Sequence, residues 1–399
     1  MNIFVIPSWF PCGSNPLSGS FIQEQARALA RSGDFNVVVS AWGHGETNFG
    51  GRPLKEFWKP FEAYWKSRER FYRSPEGYWT AFTPALYWSH RLPFGGAARL
   101  LEANRRNLQA AIRSLGRVDV IHAHVSYPAG YVASVLSKEL DIPYVLTEHM
   151  GPFPFSSLMP GGKLLPELET AFVDASQVIA VSPGQAGRIR SFGLPEPVVI
   201  PNFVDEDVFV PRKKNSSDPF VFLTVCSIVR EKGVVDLLDG IARLGLRPGQ
   251  AEFRIVGEGR DLAYCQQHAQ ALGISDLVVW CGRRLRPDIV AMFQDADAFV
   301  LPSHYESFGM VYAEAIACAK PVIATRCGGG EYIVNETNGM LVDVGDIAAL
   351  AAALRRMIDH GDAFSAERIR ADFMARFSKR AVLSLLKKVY ESAIAGRSA

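Results

Sequence analysis

Short apolar runs alternate with amphipathic stretches along the whole chain, and the pattern restarts once, just after residue 200. In the first half, apolar runs at residues 3–6, 36–40, 118–122, 144–147, 177–181 and 198–200 are bounded by Gly, Pro, Asp or Ser and predict β-strands. Between several of them, at 21–30, 130–139 and 184–192, apolar residues recur every three or four positions and predict helices. Strands that alternate with helices predict a parallel sheet covered on both faces. The second half repeats the pattern, with strands expected at 220–226, 252–256, 277–280, 298–301, 321–324 and 339–342. Helical patterns at 347–358, 366–377 and 378–394 close the chain. The fold class is therefore α/β, two doubly wound Rossmann-like domains in series, and such sheets bind ligands at the carboxyl ends of their strands.

The restart supplies the boundary. Ile200 is followed by Pro-Asn-Phe-Val-Asp-Glu-Asp-Val-Phe and then by a polar stretch, 212–218, with Lys213, Lys214, Asn215 and two serines. Domains are expected at 1–200 and 201–377. At 399 residues the chain is too long for one core. A composition of 48% hydrophobic and 21% charged residues with net charge +2 is that of a globular protein, and it carries no overall basic bias toward nucleic acid. The opening MNIFVIPSWF lacks a basic leader and a cleavage site, so it reads as a first strand. No apolar run approaches the roughly 20 residues that span a bilayer. The six cysteines form no C-x-x-C pair, which fits a reduced, cytoplasmic compartment.

One segment departs from the pattern. Residues 51–117 hold 13 Lys or Arg against 5 Glu, and residues 57–94 contain four of the seven tryptophans, Trp58, Trp65, Trp79 and Trp88. Basic residues interleaved with aromatic rings suit peripheral contact with an anionic membrane. The alternative is an insertion that folds its aromatics against its own domain.

Candidate chemistry concentrates at 303–314, Ser-His-Tyr-Glu-Ser-Phe-Gly-Met-Val-Tyr-Ala-Glu. A buried strand ends at Pro302, a polar loop follows, and a helix is expected from Gly309. Unpaired N–H groups at such a helix start attract anions. Carboxylates cannot bind phosphate, so Glu306 and Glu314 should grip hydroxyls beside it; a ligand with both phosphates and many hydroxyls is a nucleotide sugar. Lys232, in the strand-to-helix loop after 220–226, is placed to neutralise a diphosphate, with Ser227 as a further donor; alone it would read as a solvated loop lysine. Gly19, at the turn into the first helix, allows close backbone approach or serves as a plain turn glycine. The loop lacks G-x-G-x-x-G, so dinucleotide binding is not expected. His149 follows the strand 144–147 and should project at the sheet rim, as an active-site group or a structural one. His122 and His124 lack an evident third metal ligand, and strand alternation accounts for them. Asp295-Ala296-Asp297 and Asp205-Glu206-Asp207 resemble metal-holding D-x-D pairs but fit capping and turn roles; no metal site is expected.

Glu306-x7-Glu314 around Phe308-Gly309, Lys232-Gly233 after a strand, Ile200-Pro201-Asn202-Phe203-Val204-Asp205, and Gly328-Gly329-Gly330-Glu331 together resemble the retaining glycosyltransferases of family 4. The opening Pro7-Ser8-Trp9-Phe10-Pro11 with Gly19-Ser20-Phe21 and Gln25-Ala26 is similar to polysaccharide-assembly members. The resemblance covers nearly the whole chain and implies the GT-B fold, two domains facing a central cleft. The N-terminal domain would bind the acceptor, and the C-terminal domain a UDP- or GDP-sugar co-substrate with no separate cofactor. The final helix, 378–399, would return to the N-terminal domain. It implies that Glu306 holds donor-sugar hydroxyls, that Phe308, Gly309, Met310 and Val311 present backbone to sugar and diphosphate, and that Glu314 binds the ribose. Lys232 would bind the diphosphate, Gly19 would close over it, His149 would sit near the donor sugar, and Arg283 and Arg284 after Gly282 would meet the base. Family members often carry Gly-Arg where this chain has Cys226-Ser227, so that arginine contact is lost or supplied by Arg230 or Arg283. The implied reaction is metal-independent front-face transfer to a glycan or lipid-linked saccharide at the cytoplasmic face of the membrane. Alternatives are a GT-B epimerase or phosphorylase, or a non-catalytic nucleotide-sugar sensor.

Overall fold

A computed structural model of the protein describes residues 1–49, 54–92, 95–212 and 219–396. Residues 213–218 of the expected boundary stretch, and Gly51 and Phe94 of the aromatic-basic segment, lie outside the described residues. The chain divides into two compact units: Met1–Val181 with Ala186–Ile200 and the segment from Leu383, and Ser182–Gln185 with Pro201–Val382.

The first unit is an eight-stranded sheet of β1 (Asn2–Pro7), β2 (Asn36–Ala41), β3 (Arg70–Arg73), β4 (Trp79–Phe82), β5 (Val120–His124), β6 (Tyr144–Glu148), β7 (Gln177–Ala180) and β8 (Val198–Val199). The order is β3-β4-β2-β1-β5-β6-β7-β8, and every pairing is parallel except β3 with β4. Ile3, Phe4, Val5 and Ile6 of β1 are all buried, because a central parallel strand is covered on both faces and has no polar side to show. Two features differ from expectation. β5 begins two residues later than the apolar run and continues through His122 and His124, which bond Tyr390, Thr147 and His149 inside the core. β3 and β4 are absent from the expected strands because β3 is an exposed Arg-Phe-Tyr-Arg edge with no apolar run.

The aromatic-basic segment divides along its length. Trp79 stacks on Phe71 with ring centroids 5.3 Å apart, and Arg99 lies 4.3 Å from the Trp88 ring. The helix Ala98–Leu115 buries Asn104 and Asn107, which bond Ser40 Oγ at 2.7 and 2.9 Å. The short helix Lys59–Lys66 behaves differently: Trp58 and Trp65 are 57% and 79% exposed, with Phe57 and Phe61 exposed beside them. At the chain's end, the helix Lys379–Ala395 buries Tyr390, whose hydroxyl lies 2.8 Å from His122 Nδ1, and Lys387 pairs with Asp34 at 2.8 Å.

The second unit is a six-stranded, all-parallel sheet of β9 (Phe220–Val225), β10 (Ala251–Val256), β11 (Val278–Gly282), β12 (Ala298–Leu301), β13 (Val322–Thr325) and β14 (Gly339–Val342). Its order, β11-β10-β9-β12-β13-β14, reverses direction between β9 and β12. Helices on either side of that point diverge, so a crevice opens at the carboxyl ends of these two strands. Phe222 and Phe253 stack at 4.9 Å in the core beneath, one ring from each of two adjacent strands.

Candidate active site

The loops that leave β9 and β12 lie on either side of that reversal and are fastened to each other. Gly233 closes the β9 loop at φ +66°, and a Cβ placed on it would lie 1.9 Å from the Pro302 carbonyl oxygen at the end of β12. Only glycine permits that approach and that backbone angle together. The His304 N–H donates to the Glu231 carbonyl at 2.8 Å, and His304 Nε2 lies 2.8 Å from Asp236 Oδ2. With the two loops so held, Lys232 Nζ reaches Glu306 Oε1 at 2.6 Å. Ser303 Oγ donates to the same oxygen at 2.8 Å. Both side chains are largely withdrawn from solvent, 26% and 11% exposed, so each charge depends on the other. A lysine has three N–H donors, and Glu306 is the one partner of Lys232 Nζ among the described residues. Glu306 Oε2 takes no hydrogen bond from the described residues. The pair therefore presents cationic donors and a carboxylate oxygen side by side.

Backbone contacts extend this rim in both directions. Glu306 N–H donates to Cys327 O at 3.0 Å, and a Cβ on Gly329 would sit 2.2 Å from Phe308 O, so the Gly328–Gly330 turn after β13 lies directly against the 306–308 loop. On the other side, Ile228 N–H donates to Glu258 O at 2.9 Å and Gly257 N–H to Gly282 O at 3.0 Å. Ser227 is exposed on the β9 loop. Arg283 and Arg284 are exposed on the β11 loop, with β10 between them and Lys232. Cys226 is half-buried and desolvation pushes its thiol up to about 12, so it is no thiolate nucleophile.

The helix Met310–Ala317 begins at Gly309, whose φ is +86°. The Phe308 ring is buried against Tyr332 and Phe377, so this residue can offer a ligand only its backbone. Met310, Val311 and Glu314 are half-buried in the first turns of that helix. Tyr312 OH donates to Leu301 O at 2.8 Å and ties the helix to β12.

In the first unit, Gly19 (φ +64°) is buried at the start of the helix Ser20–Arg31, where a Cβ would meet Trp9 O at 2.2 Å. Two residues on, the Phe21 ring lies 4.7 Å from the His149 ring, so Gly19 and His149 belong to one neighbourhood. His149 is buried; its Nε2 lies 3.0 Å from His124 Nδ1. The buried Glu148 carboxylate accepts the N–H groups of His149 (2.7 Å), Met150 (2.8 Å) and Ser126 (3.1 Å), which fixes the backbone there. Burial draws His122 and His149 down to about 3 and His124 well below its ordinary value, so all three rings are neutral near pH 7. Burial also pushes the Glu148 carboxyl up.

Three carboxylates of the two D-x-D pairs have protein partners. Asp297 Oδ2 accepts Val221 N–H at 2.7 Å, and Lys379 Nζ binds Asp205 and Asp207 at 3.0 and 2.8 Å. No group of three or more His, Cys, Asp or Glu is placed to hold a metal among the described residues. Ser303 and the Gly257–Gly259 turn were not singled out from sequence, and His124 was read there as ordinary strand alternation. Ser303 carried a signal, since it stands three residues before Glu306 on the same loop; the others became visible only through contacts between distant segments.

The description "Glycosyltransferase Family 4" matches residues 18–208, and "Glycosyl transferases group 1" matches residues 205–379. The chain is 30% identical over 294 residues to glycogen synthase of Mycobacterium tuberculosis, covering 70% of each. In structure it is similar to sucrose-phosphate synthase of Thermosynechococcus elongatus (TM-score 0.72, 19% identity, 99% of this chain and 100% of that one). It is also similar to HepE of Anabaena in complex with UDP and glucose (TM-score 0.68, 21% identity, 98% and 100%).

The wedge at Gly233 is testable against a control. At Gly245 φ is +58° and nothing lies within 4 Å of an added Cβ. Gly245→Ala should therefore show only backbone strain, about 1–2 kcal/mol. Gly233→Ala should be destabilised by at least about 1 kcal/mol more. Equal costs in urea denaturation would mean that the two loops are not wedged together.

Proposed function

Because the chain belongs to the glycosyltransferases of family 4 and has their GT-B fold, we propose that it moves a sugar from a nucleoside-diphosphate sugar to a glycan or lipid-linked saccharide, retaining the anomeric configuration, in cell-surface polysaccharide synthesis. The observation that carries this reading is the Lys232–Glu306 pair, 2.6 Å apart across the reversal of the second sheet. A diphosphate needs cationic donors and a sugar needs a carboxylate acceptor, and a nucleotide sugar places the two groups adjacent. The UDP and glucose held by the Anabaena neighbour support a UDP-sugar as the first donor to test and a GDP-sugar as the second.

Lys232 and the backbone N–H groups at Gly309 and Met310 would face the diphosphate, Glu306 the donor-sugar hydroxyls, and Glu314 the ribose. Ser227 would add a donor to the phosphates, and Arg283 and Arg284 would lie by the base. Gly19 would approach the diphosphate and His149 the sugar from the first unit, which would take the acceptor. As the bond from C1 to the phosphate oxygen breaks, charge grows on the leaving diphosphate. Lys232 is already in place to stabilise it without reorganisation. The acceptor hydroxyl bonds to C1 from the face the phosphate leaves, and its proton passes to the departing phosphate oxygen. No metal is required in this scheme, since Lys232 and helix N–H groups balance the charge.

A peripheral membrane site for the acceptor is supported by the exposed ring stripe Phe57, Trp58, Phe61 and Trp65 with Lys55, Lys59, Lys66 and Arg68 around it. No helix among the described residues is long and apolar enough to cross a membrane. Amphipathic rings beside lysines are suited to the headgroup layer, on the inner face of the cell membrane in this reading.

A donor panel scored for nucleoside diphosphate release, with and without lipid-linked saccharide, tests the reaction. Acceptor-dependent release unaffected by EDTA is expected, with Lys232→Met slower by roughly 10²–10³. Free sugar without acceptor would mean an epimerase, a phosphate requirement a phosphorylase, and binding without turnover a sensor. Separately, liposomes containing anionic lipid should sediment the protein at low salt, and alanines at Trp58, Trp65 and Lys66 should abolish this. A protein left in the supernatant would sink the membrane site.

A further inference from the structure

Strand alternation places His122 and His124 of β5 on one face, beside Thr147 of β6 and His149 just beyond it. His122 lies between two hydroxyls, Tyr390 OH at Nδ1 (2.8 Å) and Thr147 Oγ1 at Nε2 (2.8 Å). Its ring centroid is 4.1 Å from that of His124. The His124 and His149 rings are stacked, with centroids 5.3 Å apart and an interplanar angle of 16°, and are joined between His124 Nδ1 and His149 Nε2 at 3.0 Å. All these side chains are buried. Three histidines in file need no metal to explain their contacts, but they do impose a proton arrangement.

A neutral imidazole has one N–H donor and one bare acceptor nitrogen. When two neutral rings are joined nitrogen to nitrogen, one of the two nitrogens carries the proton and the other does not. If His124 Nδ1 carries it, His149 Nε2 is bare and the His149 proton is on Nδ1. If His149 Nε2 carries it, His149 Nδ1 is bare. The tautomer of His124 thus decides whether Nδ1 of His149 donates or accepts.

We infer that His124 is a positioning residue for His149, holding its ring in one neutral tautomer and one orientation. Its functional consequence rests on the reading that His149 sits beside the donor sugar. A sugar ring oxygen can only accept, whereas a hydroxyl must donate to a bare nitrogen and accept from an N–H, so a fixed tautomer gives His149 one defined contact. His122 is held in turn by Thr147 and by Tyr390, 268 residues distant in sequence, and its ring packs against that of His124. Glu148, by holding the His149 and Met150 N–H groups, keeps the ring's attachment point still.

The test uses the full chain labelled with ¹⁵N-histidine, with His149→Gln to assign one resonance pair among the 8 histidines. Long-range ¹H–¹⁵N correlation should show His149 in one neutral tautomer in the unaltered protein. In His124→Phe, which keeps a ring and removes both nitrogens, His149 should become a mixture or change tautomer. His124→Asn, whose amide can stand near the lost Nδ1, should restore a single form. With donor and acceptor saturating, kcat should fall at least tenfold in His124→Phe while KM for the donor stays within about threefold, and His124→Asn should recover most of it. An unchanged His149 spectrum in His124→Phe, or a tautomer mixture in the unaltered protein, overturns the inference. A changed spectrum with unchanged kcat supports the positioning and overturns only the placement of His149 at the donor sugar. Should His124→Phe fail to fold by circular dichroism, the spectrum of the unaltered protein and that of His124→Asn still decide: a single form in both supports the inference, and a mixture in the unaltered protein overturns it.

Discussion

The contact on which the rest of the site depends is the ion pair between Lys232 and Glu306, made where the second sheet reverses its strand order. Two half-buried charges are costly unless each faces the other, and breaking such a pair by removing one partner leaves the second uncompensated. The fold meets this constraint with backbone. Gly233 lets its loop lie against Pro302, and His304 N–H bonds Glu231 O, so the charged side chains meet without bending either strand. Ser303 and the hydrogen bond from Glu306 N–H to Cys327 O then set where the carboxylate points. In the proposed function a nucleotide sugar entering this rim would meet a preorganised charge distribution and would have little protein to rearrange.

The first unit solves a different problem by related means. It buries a file of polar rings inside a parallel sheet, where each unsatisfied nitrogen would be expensive. A threonine and a tyrosine from the final helix supply partners for both His122 nitrogens, and His124 Nδ1 and His149 Nε2 supply each other. The consequence is a run of neutral histidines whose protons are coupled, ending at His149. Lys232 and Glu306 work by charge that is present; the histidines work by charge that burial keeps absent.

Much of the second unit was legible in the sequence because its central strands β9, β12 and β13 are buried and read as apolar runs, while β10, β11 and β14, though partly exposed, are still rich in apolar residues. The positions of Lys232 and Glu306 were legible because each follows such a run by a short, polar loop, and that of Glu314 because it lies in the helix that the second loop begins. What could not be read was anything carried by an unusual neighbour. β3 is an exposed edge rich in arginine, so no apolar run announced it. His124 looked like ordinary alternation, and its partner His149 lies 25 residues away. Spacing alone also divided the aromatic-basic segment poorly: Trp79 packs inward and Trp65 faces out, although both stand among basic residues.

In the proposed function the paired loops of the second unit bind a nucleoside diphosphate through Lys232. Calorimetric titration of UDP, and then of GDP, into the unaltered protein and into Lys232→Met tests it most directly. One site per chain is expected for at least one of the two nucleotides, weakened at least tenfold in Lys232→Met with the fold intact by circular dichroism. Equal affinity in the two proteins, or no binding of either nucleotide to the unaltered protein, would contradict it.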